Sequence, residues 1–206
     1  MRLTRRARAE DFYGGKLKRE DLEDLCGEEC DNEYDQILRF HDCEVVARGW
    51  RVYRLEQRVV HDSARVCGSI DALFYDPEEP PGTIHLVDWK RSGEIRVVPF
   101  DAPRGTACFD VHHDAARRRD TARLKTFMGK RGKPPFNVLP DCNWGHYAVQ
   151  QNVYRAIIEQ HTSLRIASTN LAVFHPAHDS YELYPMPDVQ AQTYQVLADR
   201  AALFHC

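Results

Sequence analysis

The pattern of hydrophobic and polar residues changes its period along the chain. Over residues 31–47 the apolar side chains recur every three to four positions, which is typical of an amphipathic helix. Downstream the period becomes two, which predicts strands over residues 52–60, 64–75 and 83–91. The sequence Asp76-Pro-Glu-Glu-Pro-Pro-Gly82 indicates a turn before the last of these strands. The three strands are therefore expected to form an antiparallel meander.

The second half of the chain repeats both periods. Residues 144–160 predict a helix, residues 167–174 and 181–184 predict two strands, and residues 189–204 predict a closing helix. Residues 9–25 also look helical, although Gly14 and Gly15 interrupt the pattern. The resulting order is helices, three strands, a helix, two strands and a helix. This order predicts an α/β or α+β fold, in which helices flank one mixed β-sheet.

Residues 99–143 interrupt these patterns with proline, glycine and charge. They predict one short helix, around residues 115–128. We interpret the segment as a basic loop or insertion within a single domain over residues 1–206. Its basic side chains indicate either a solvated face or contact with nucleic acid. The residues concerned are Arg117, Arg118, Arg119, Arg123, Lys125, Lys130 and Arg131.

Composition limits the class of protein. The 206 residues suffice for one domain with a core, and 43% hydrophobic with 29% charged residues is typical of a globular protein. A net charge of −3 argues against a surface that is basic all round, but it leaves room for a local groove. No apolar run reaches the roughly 18–20 residues that span a bilayer, so no membrane contact is expected. Seven cysteines without a regular framework predict reduced thiols and an intracellular, not secreted, protein.

The richest chemistry lies in the second and third predicted strands. Asp88 and Lys90 are two positions apart, so their side chains project from the same face of a strand while Trp89 points the other way. If the two strands form a hairpin, Asp71 comes alongside Asp88. Two carboxylates beside one ammonium are costly in a core, because each buried charge needs compensation. The arrangement suits a divalent metal site for phosphodiester cleavage.

Such a site would use hard oxygen ligands, which favour Mg²⁺ or Mn²⁺ over zinc. Asp71 and Asp88 are the candidate ligands, with the backbone carbonyl of Trp89 as a third. Lys90 is the candidate for positioning or deprotonating the attacking water and for stabilising charge that develops on the phosphate.

Three motifs together resemble the RecB-like branch of the PD-(D/E)XK nucleases. They are Gly68-Ser-Ile-Asp71, Asp88-Trp89-Lys90 and Gln150-Gln-Asn-Val-Tyr154. The resemblance implies a restriction-endonuclease-like core and hydrolysis of single- or double-stranded DNA, by an exonuclease rather than an endonuclease. It further implies that Gln150 and Tyr154 lie near the lysine and the DNA backbone. Without it, Gln150 would be an ordinary surface residue and Tyr154 a core aromatic.

The chain departs from this pattern at its amino end. A narrower group of these nucleases carries His-x-x-x-Glu before Phe-Tyr-Asn-Gly. Here Glu10 fits the acidic position, which makes it the candidate third metal-binding carboxylate, but Arg6 occupies the histidine position. The alternative is therefore a catalytically weak or inactive domain that binds nucleic acid or a protein partner. A hydrolase of another phosphorylated substrate is a third possibility, although no glycine-rich phosphate loop is present.

Overall fold

The computed structural model describes residues 31–92, 95–98, 104, 107–110 and 125–204. Its helices are α1 (Asp31–Phe40), α2 (Asn143–His161) and α3 (Gln190–Ala202), with a π-helical segment at His41–Val46 and a 3₁₀ turn at Phe136–Val138. Its strands are β1 (Arg51–His61), β2 (Val66–Tyr75), β3 (Thr83–Arg91), β4 (Arg96–Val97), β5 (Ala107–Asp110), β6 (Lys125–Thr126), β7 (Arg165–Phe174) and β8 (Glu182–Pro185). None of the described helices is long and apolar enough to cross a membrane.

A five-stranded sheet in the order β1-β2-β3-β7-β8 forms the centre of the molecule. The strands β1, β2 and β3 form the expected antiparallel meander, whereas β3 and β7 run parallel. A parallel pair needs a crossover connection, and α2 lies on the path from β3 to β7. The prediction of a mixed sheet flanked by helices is confirmed, and β4, β5 and β6 form a second sheet of three short strands that the sequence does not predict.

The sheet buries apolar side chains on both faces because alternate residues of each strand point in opposite directions. On β3, Leu86 belongs to the cluster under α2, together with Ile157 of that helix. Its neighbour Val87 belongs to the cluster on the opposite face, together with Phe40 of α1. The sheet is therefore the middle layer between α1 and α2, and β3 lies near its centre.

Helix α1 is fixed to the turn after β7 by the amide of one buried glutamine. Gln36 donates from Nε2 to the carbonyl oxygens of His175 and His178, each at 2.8 Å, and it accepts from the His175 N–H at 3.0 Å. Phe40, one turn further on, packs edge-on against the Trp89 ring at 5.3 Å between centroids. Helix α1 thus supports the part of β3 that carries the candidate site.

The described residues between β3 and α2 contain more regular structure than the sequence predicts. The predicted helix over residues 115–128 is wrong at its carboxyl end, since residues 125–126 form β6 and pair with β5. The earlier part of that helix lies outside the described residues. Phe127 and Leu139 are buried, at 6% and 2% exposure, so residues close to α2 contribute to the core. Tertiary pairing therefore overrides local composition here, because two-residue strands carry too little pattern to be recognised.

Candidate active site

Strand β3 presents Asp88 and Lys90 on the face that α2 covers. Asp88 lies beside Leu171 and Lys90 beside Val173 of the parallel strand β7, and both partners belong to the apolar cluster under α2. Trp89 points to the other face and packs against Phe40. The side chains of Asp88 and Lys90 thus lie on the same face because alternate residues of a strand point the same way, as the sequence predicts.

The β2–β3 hairpin brings Asp71 beside Asp88. The two strands pair Ala72 with Val87, so the next residues on each strand, Asp71 and Asp88, face one another. Oδ2 of Asp71 accepts a hydrogen bond from the Trp89 N–H at 2.7 Å. The backbone of β3 therefore fixes the position of the Asp71 carboxylate next to the Asp88 carboxylate.

Asp88 is a buried carboxylate with incomplete compensation. Burial raises its pKa from 3.8 to about 6; the Lys90 ammonium opposes that rise, and the nearby Asp71 carboxylate adds to it. Oδ2 of Asp88 forms an ion pair with Nζ of Lys90. Within the described part of the chain, that oxygen accepts no hydrogen bond of regular geometry. The site therefore has unused capacity for positive charge.

Lys90 lies between the carboxylate and an aromatic ring. Its Nζ is 5.3 Å from the centroid of the Tyr147 ring on α2, within the range of a cation–π interaction. The Lys90 side chain is 23% exposed, so its ammonium also reaches solvent. Sequence reasoning missed Tyr147, although it lies three positions before Gln150, a spacing that places two residues on the same side of a helix.

Gln150 and Tyr154 are joined to each other and to the glycine of the first motif. Nε2 of Gln150 donates to the Tyr154 hydroxyl at 2.8 Å. The buried Tyr154 ring lies directly over Gly68, where an added Cβ would be 2.4 Å from Cε1 of Tyr154. Gly68 thus provides the space that the ring occupies. The helix motif and the two strand motifs form one packed unit.

Two further features of the site are invisible to a periodicity argument. Gln151, adjacent to Gln150, is fully buried and donates to the Asn170 carbonyl at 3.2 Å. Glu56 on β1 has a left-handed backbone, with φ of 49°, and lies opposite Asp71 between two regular cross-strand pairs. Beyond Glu56 the alternation of β1 changes, because Leu55 contacts the α1 side and Val59 the α2 side. A buried polar side chain and a single unusual dihedral angle do not change the spacing of hydrophobic residues, so the sequence pattern does not reveal them.

The remaining predicted site residues are only partly described. Glu10 lies outside the described residues, and so do Arg117, Arg118, Arg119 and Arg123. Lys125 is placed in β6 by its backbone alone.

Lys130 and Arg131 have intramolecular partners. Nζ of Lys130 pairs with Oδ2 of Asp141 at 2.6 Å, and this contact, with that of His146, holds the Asp141 pKa below its ordinary value. Nη1 of Arg131 donates to the Val138 carbonyl at 3.1 Å. Any contact of these two residues with nucleic acid would compete with those bonds.

The described residues offer two carboxylates for a cation. No group of three or more histidine, cysteine, aspartate or glutamate side chains in the described ranges is arranged to hold a metal ion. Mg²⁺ commonly binds through one or two carboxylates and keeps several waters, and Asp71 with Asp88 meets that requirement. One ammonium, that of Lys90, faces two carboxylates, and the pKa of Asp88 stays raised despite this ion pair. This charge balance and the hard donor set therefore fit Mg²⁺ or Mn²⁺.

Comparison with known proteins adds no family assignment. No protein-family model matches the chain, and no curated protein sequence matches it at a significant level. The resemblance to RecB-like nucleases therefore stays a prediction from three motifs, while the packing of those motifs around Asp71, Asp88 and Lys90 is a property of the structure.

Proposed function

We propose that this chain is a metal-dependent nuclease that hydrolyses phosphodiester bonds of DNA. The observation that carries the proposal is the buried carboxylate of Asp88, which lies between the Asp71 carboxylate and the Lys90 ammonium on the face below α2. A purely structural role would not need two carboxylates there, because the pair raises the cost of burying either charge.

Each residue then has a chemical role. Asp71, Asp88 and the carbonyl of Trp89 would hold Mg²⁺ or Mn²⁺, which when bound supplies neutralisation of phosphate charge and a lower pKa for water. Nζ of Lys90 donates hydrogen bonds to the attacking water and to a non-bridging phosphate oxygen. The water oxygen bonds to phosphorus and gives up one proton to solvent, the bond between phosphorus and the leaving oxygen breaks, and the leaving oxygen takes up one proton from solvent.

Gln150 and Tyr154 support this chemistry from α2. Their mutual hydrogen bond and the packing of Tyr154 on Gly68 hold β2 and α2 together, so the position of Asp71 depends on both. An exonuclease in replication, repair or recombination is the specific form that we propose, and it rests on the motif resemblance alone.

The second candidate is a nuclease-like domain that binds DNA without cutting it. The Asp88–Lys90 ion pair favours it, because the lysine already supplies one positive charge to the carboxylate. Arg6, where the resembled group has histidine, points the same way.

Cleavage of labelled single- and double-stranded DNA with Mg²⁺, Mn²⁺ or EDTA distinguishes the two. We expect metal-dependent cutting by the parent and a loss of about 100-fold or more in Asp88→Asn and Lys90→Met. Asp199→Asn, which removes an exposed carboxylate from α3, is the matched control and should cut normally. Cutting that persists in EDTA or in both site variants would contradict the nuclease proposal. A parent that binds DNA without cutting it would establish the second candidate.

A further inference from the structure

Two exposed basic side chains meet on one carboxylate at the start of α2. Oδ2 of Asp141 accepts from Nζ of Lys130 at 2.6 Å, and its Oδ1 accepts from Nε2 of His146 at 2.7 Å. The side chains of Lys130 and His146 are 78% and 70% exposed, whereas that of Asp141 is 21% exposed. Since both nitrogens contact the same carboxylate, the two basic groups lie side by side on one surface. We call these three residues the Asp141 cluster.

The Asp141 cluster adjoins the candidate active site. His146 directly precedes Tyr147, whose ring contacts the Lys90 ammonium. It also lies four positions before Gln150, so these two residues are neighbours on the surface of α2. A DNA backbone that reaches Lys90 from the start of α2 therefore passes the cluster.

Stabilisation of the fold does not explain the cluster. An ion pair between exposed side chains contributes little to stability, because solvent screens the charges and both side chains lose conformational freedom. Arg131, next to Lys130, differs in this respect, since its Nη1 donates to the Val138 carbonyl and so supports the backbone of the segment. A role in binding accounts for the exposure of Lys130 and His146 better than a role in folding does.

Asp141 shows which kind of ligand the two basic groups fit. The hydrogen bonds from Lys130 and from His146 hold the pKa of Asp141 below its ordinary value, so this carboxylate is ionised. An ionised carboxylate only accepts hydrogen bonds, so Nε2 of His146 carries a hydrogen and donates it. A phosphodiester also presents anionic oxygens that accept hydrogen bonds, and lysine is a common phosphate ligand. A DNA phosphate can therefore take the place that the Asp141 carboxylate occupies.

We propose that Lys130 and His146 bind a DNA phosphate beside the phosphodiester held at Asp71 and Asp88, and that Asp141 competes with this phosphate. The assignment rests on the proposed function, since it takes the position of the cleaved bond from the metal site. It adds a histidine to the basic contacts expected from the sequence, and it gives Asp141 an inhibitory role in DNA binding.

Binding without cleavage tests the proposal. The affinity of a labelled oligonucleotide is measured by fluorescence anisotropy in EDTA at several salt concentrations. The test variant carries Lys130→Gln and His146→Gln. The matched control carries His161→Gln and Arg165→Gln, which remove exposed basic side chains at the other end of α2, about 22 Å away. Thermal unfolding of each variant establishes that it is folded.

We expect the test variant to bind about tenfold more weakly at low salt, with the slope of log K against log salt reduced by about one. The control should lose about twofold or less, because its side chains lie away from the site. Asp141→Asn should instead bind about threefold to tenfold more tightly than the parent, because it frees both basic groups. In the background of the test variant, the same substitution should change the affinity by about twofold or less.

Equal losses in the test and control variants would overturn the proposal. So would an Asp141→Asn variant that binds no more tightly than the parent, a gain that persists in the test background, or a parent that binds no DNA. Failure of the nuclease proposal has a different signature, because the parent would then bind through the cluster but leave DNA uncut when Mg²⁺ or Mn²⁺ is added.

Discussion

At the residue scale, Gly68 shows why the first motif begins with glycine. Its Cα faces the Tyr154 ring so closely that an added Cβ would lie 2.6 Å from the hydroxyl oxygen and 2.4 Å from Cε1. The ring is buried and cannot move aside without disturbing the cluster under α2. The glycine is therefore explained by packing against a residue that lies 86 positions away in the chain.

Gly68→Ala should destabilise the protein by about 1–3 kcal/mol, because the methyl group overlaps the Tyr154 ring. The free energy of unfolding, measured by denaturant titration, gives the size of this effect. In a Tyr154→Leu background the additional cost of Gly68→Ala should fall to less than half. An equal cost in both backgrounds would show that the ring is not the reason for the glycine.

Asp88 gives a pH-dependent prediction for the metal-free protein. Its pKa is raised by burial to about 6 in the folded chain, so the unfolded chain loses this proton at lower pH than the folded chain does. Protonation of Asp88 therefore stabilises the folded chain relative to the unfolded chain. This contribution is fully present below pH 3.8 and is lost as pH rises towards 6. In EDTA at pH 8, Asp88→Asn should therefore be more stable than the parent, by on the order of 1–3 kcal/mol.

The difference between Asp88→Asn and the parent should disappear at acidic pH, where both side chains are neutral. Asp199→Asn, which removes an exposed carboxylate from α3, is the control for the loss of one negative charge. A substitution that destabilises the protein equally at every pH would mean that the Lys90 ion pair outweighs the cost of burial.

At the element scale, α2 is the piece that unites the three motifs. Tyr147 contacts Lys90 of β3, and Tyr154 covers Gly68 of β2. The helix is also anchored by Asn152, whose Nδ2 donates a 2.8 Å hydrogen bond to the carbonyl of Pro187. Pro187 lies just before α3 in the chain. A shift of this helix would therefore disturb the lysine and the Asp71 strand together.

Tyr147 should act as a positioning residue for Lys90. Tyr147→Phe keeps the aromatic face and should cleave DNA at near the parental rate. Tyr147→Leu keeps an apolar side chain but loses the cation–π interaction, so kcat should fall about threefold to tenfold with little change in KM. The pH profile of kcat separates this effect from a loss of packing, because only a displaced ammonium should change the profile. Equal rates in the Phe and Leu variants would exclude the positioning role.

The same elements show how far a sequence can predict a structure. The period of two over β3 predicts that Asp88 and Lys90 share one face, and the turn that ends at Gly82 predicts the β2–β3 hairpin. The short strand β6 was missed because its identity depends on pairing with β5 and not on its own residues. Gln150 and Gln151 are equally polar in sequence, yet one is fully buried, because burial follows from the direction of α2 relative to the sheet. Tyr147 was missed for a similar reason, since only the folded arrangement brings it to Lys90.

At the scale of the whole molecule, a bound cation should couple the site to global stability. A ligand that binds only the folded chain stabilises it by RT ln(1 + [L]/Kd), which is about 2.7 kcal/mol at a hundredfold excess over Kd. Mg²⁺ or Mn²⁺ should therefore raise the melting temperature of the parent. Asp88→Asn and Asp71→Asn should lose most of that increase, while Asp199→Asn should keep it. An equal increase in all four proteins would indicate that the ion binds elsewhere. No increase in the parent would contradict the proposal that this site binds a divalent cation.

The parallel pairing of β3 with β7 also determines when the site comes into existence. The amino end of the chain leaves the ribosome first. Strands β1, β2 and β3 can therefore pair with one another before β7 has been made. At that time Asp88 and Lys90 lie on an open edge, because Leu171 and Val173 have not yet been made. The ring of Tyr147, which contacts the lysine, arrives only shortly before them. A chain interrupted after β3 and before β7 carries both carboxylates and the lysine but not the surroundings that bury them, so the site is complete only once β7 has been made.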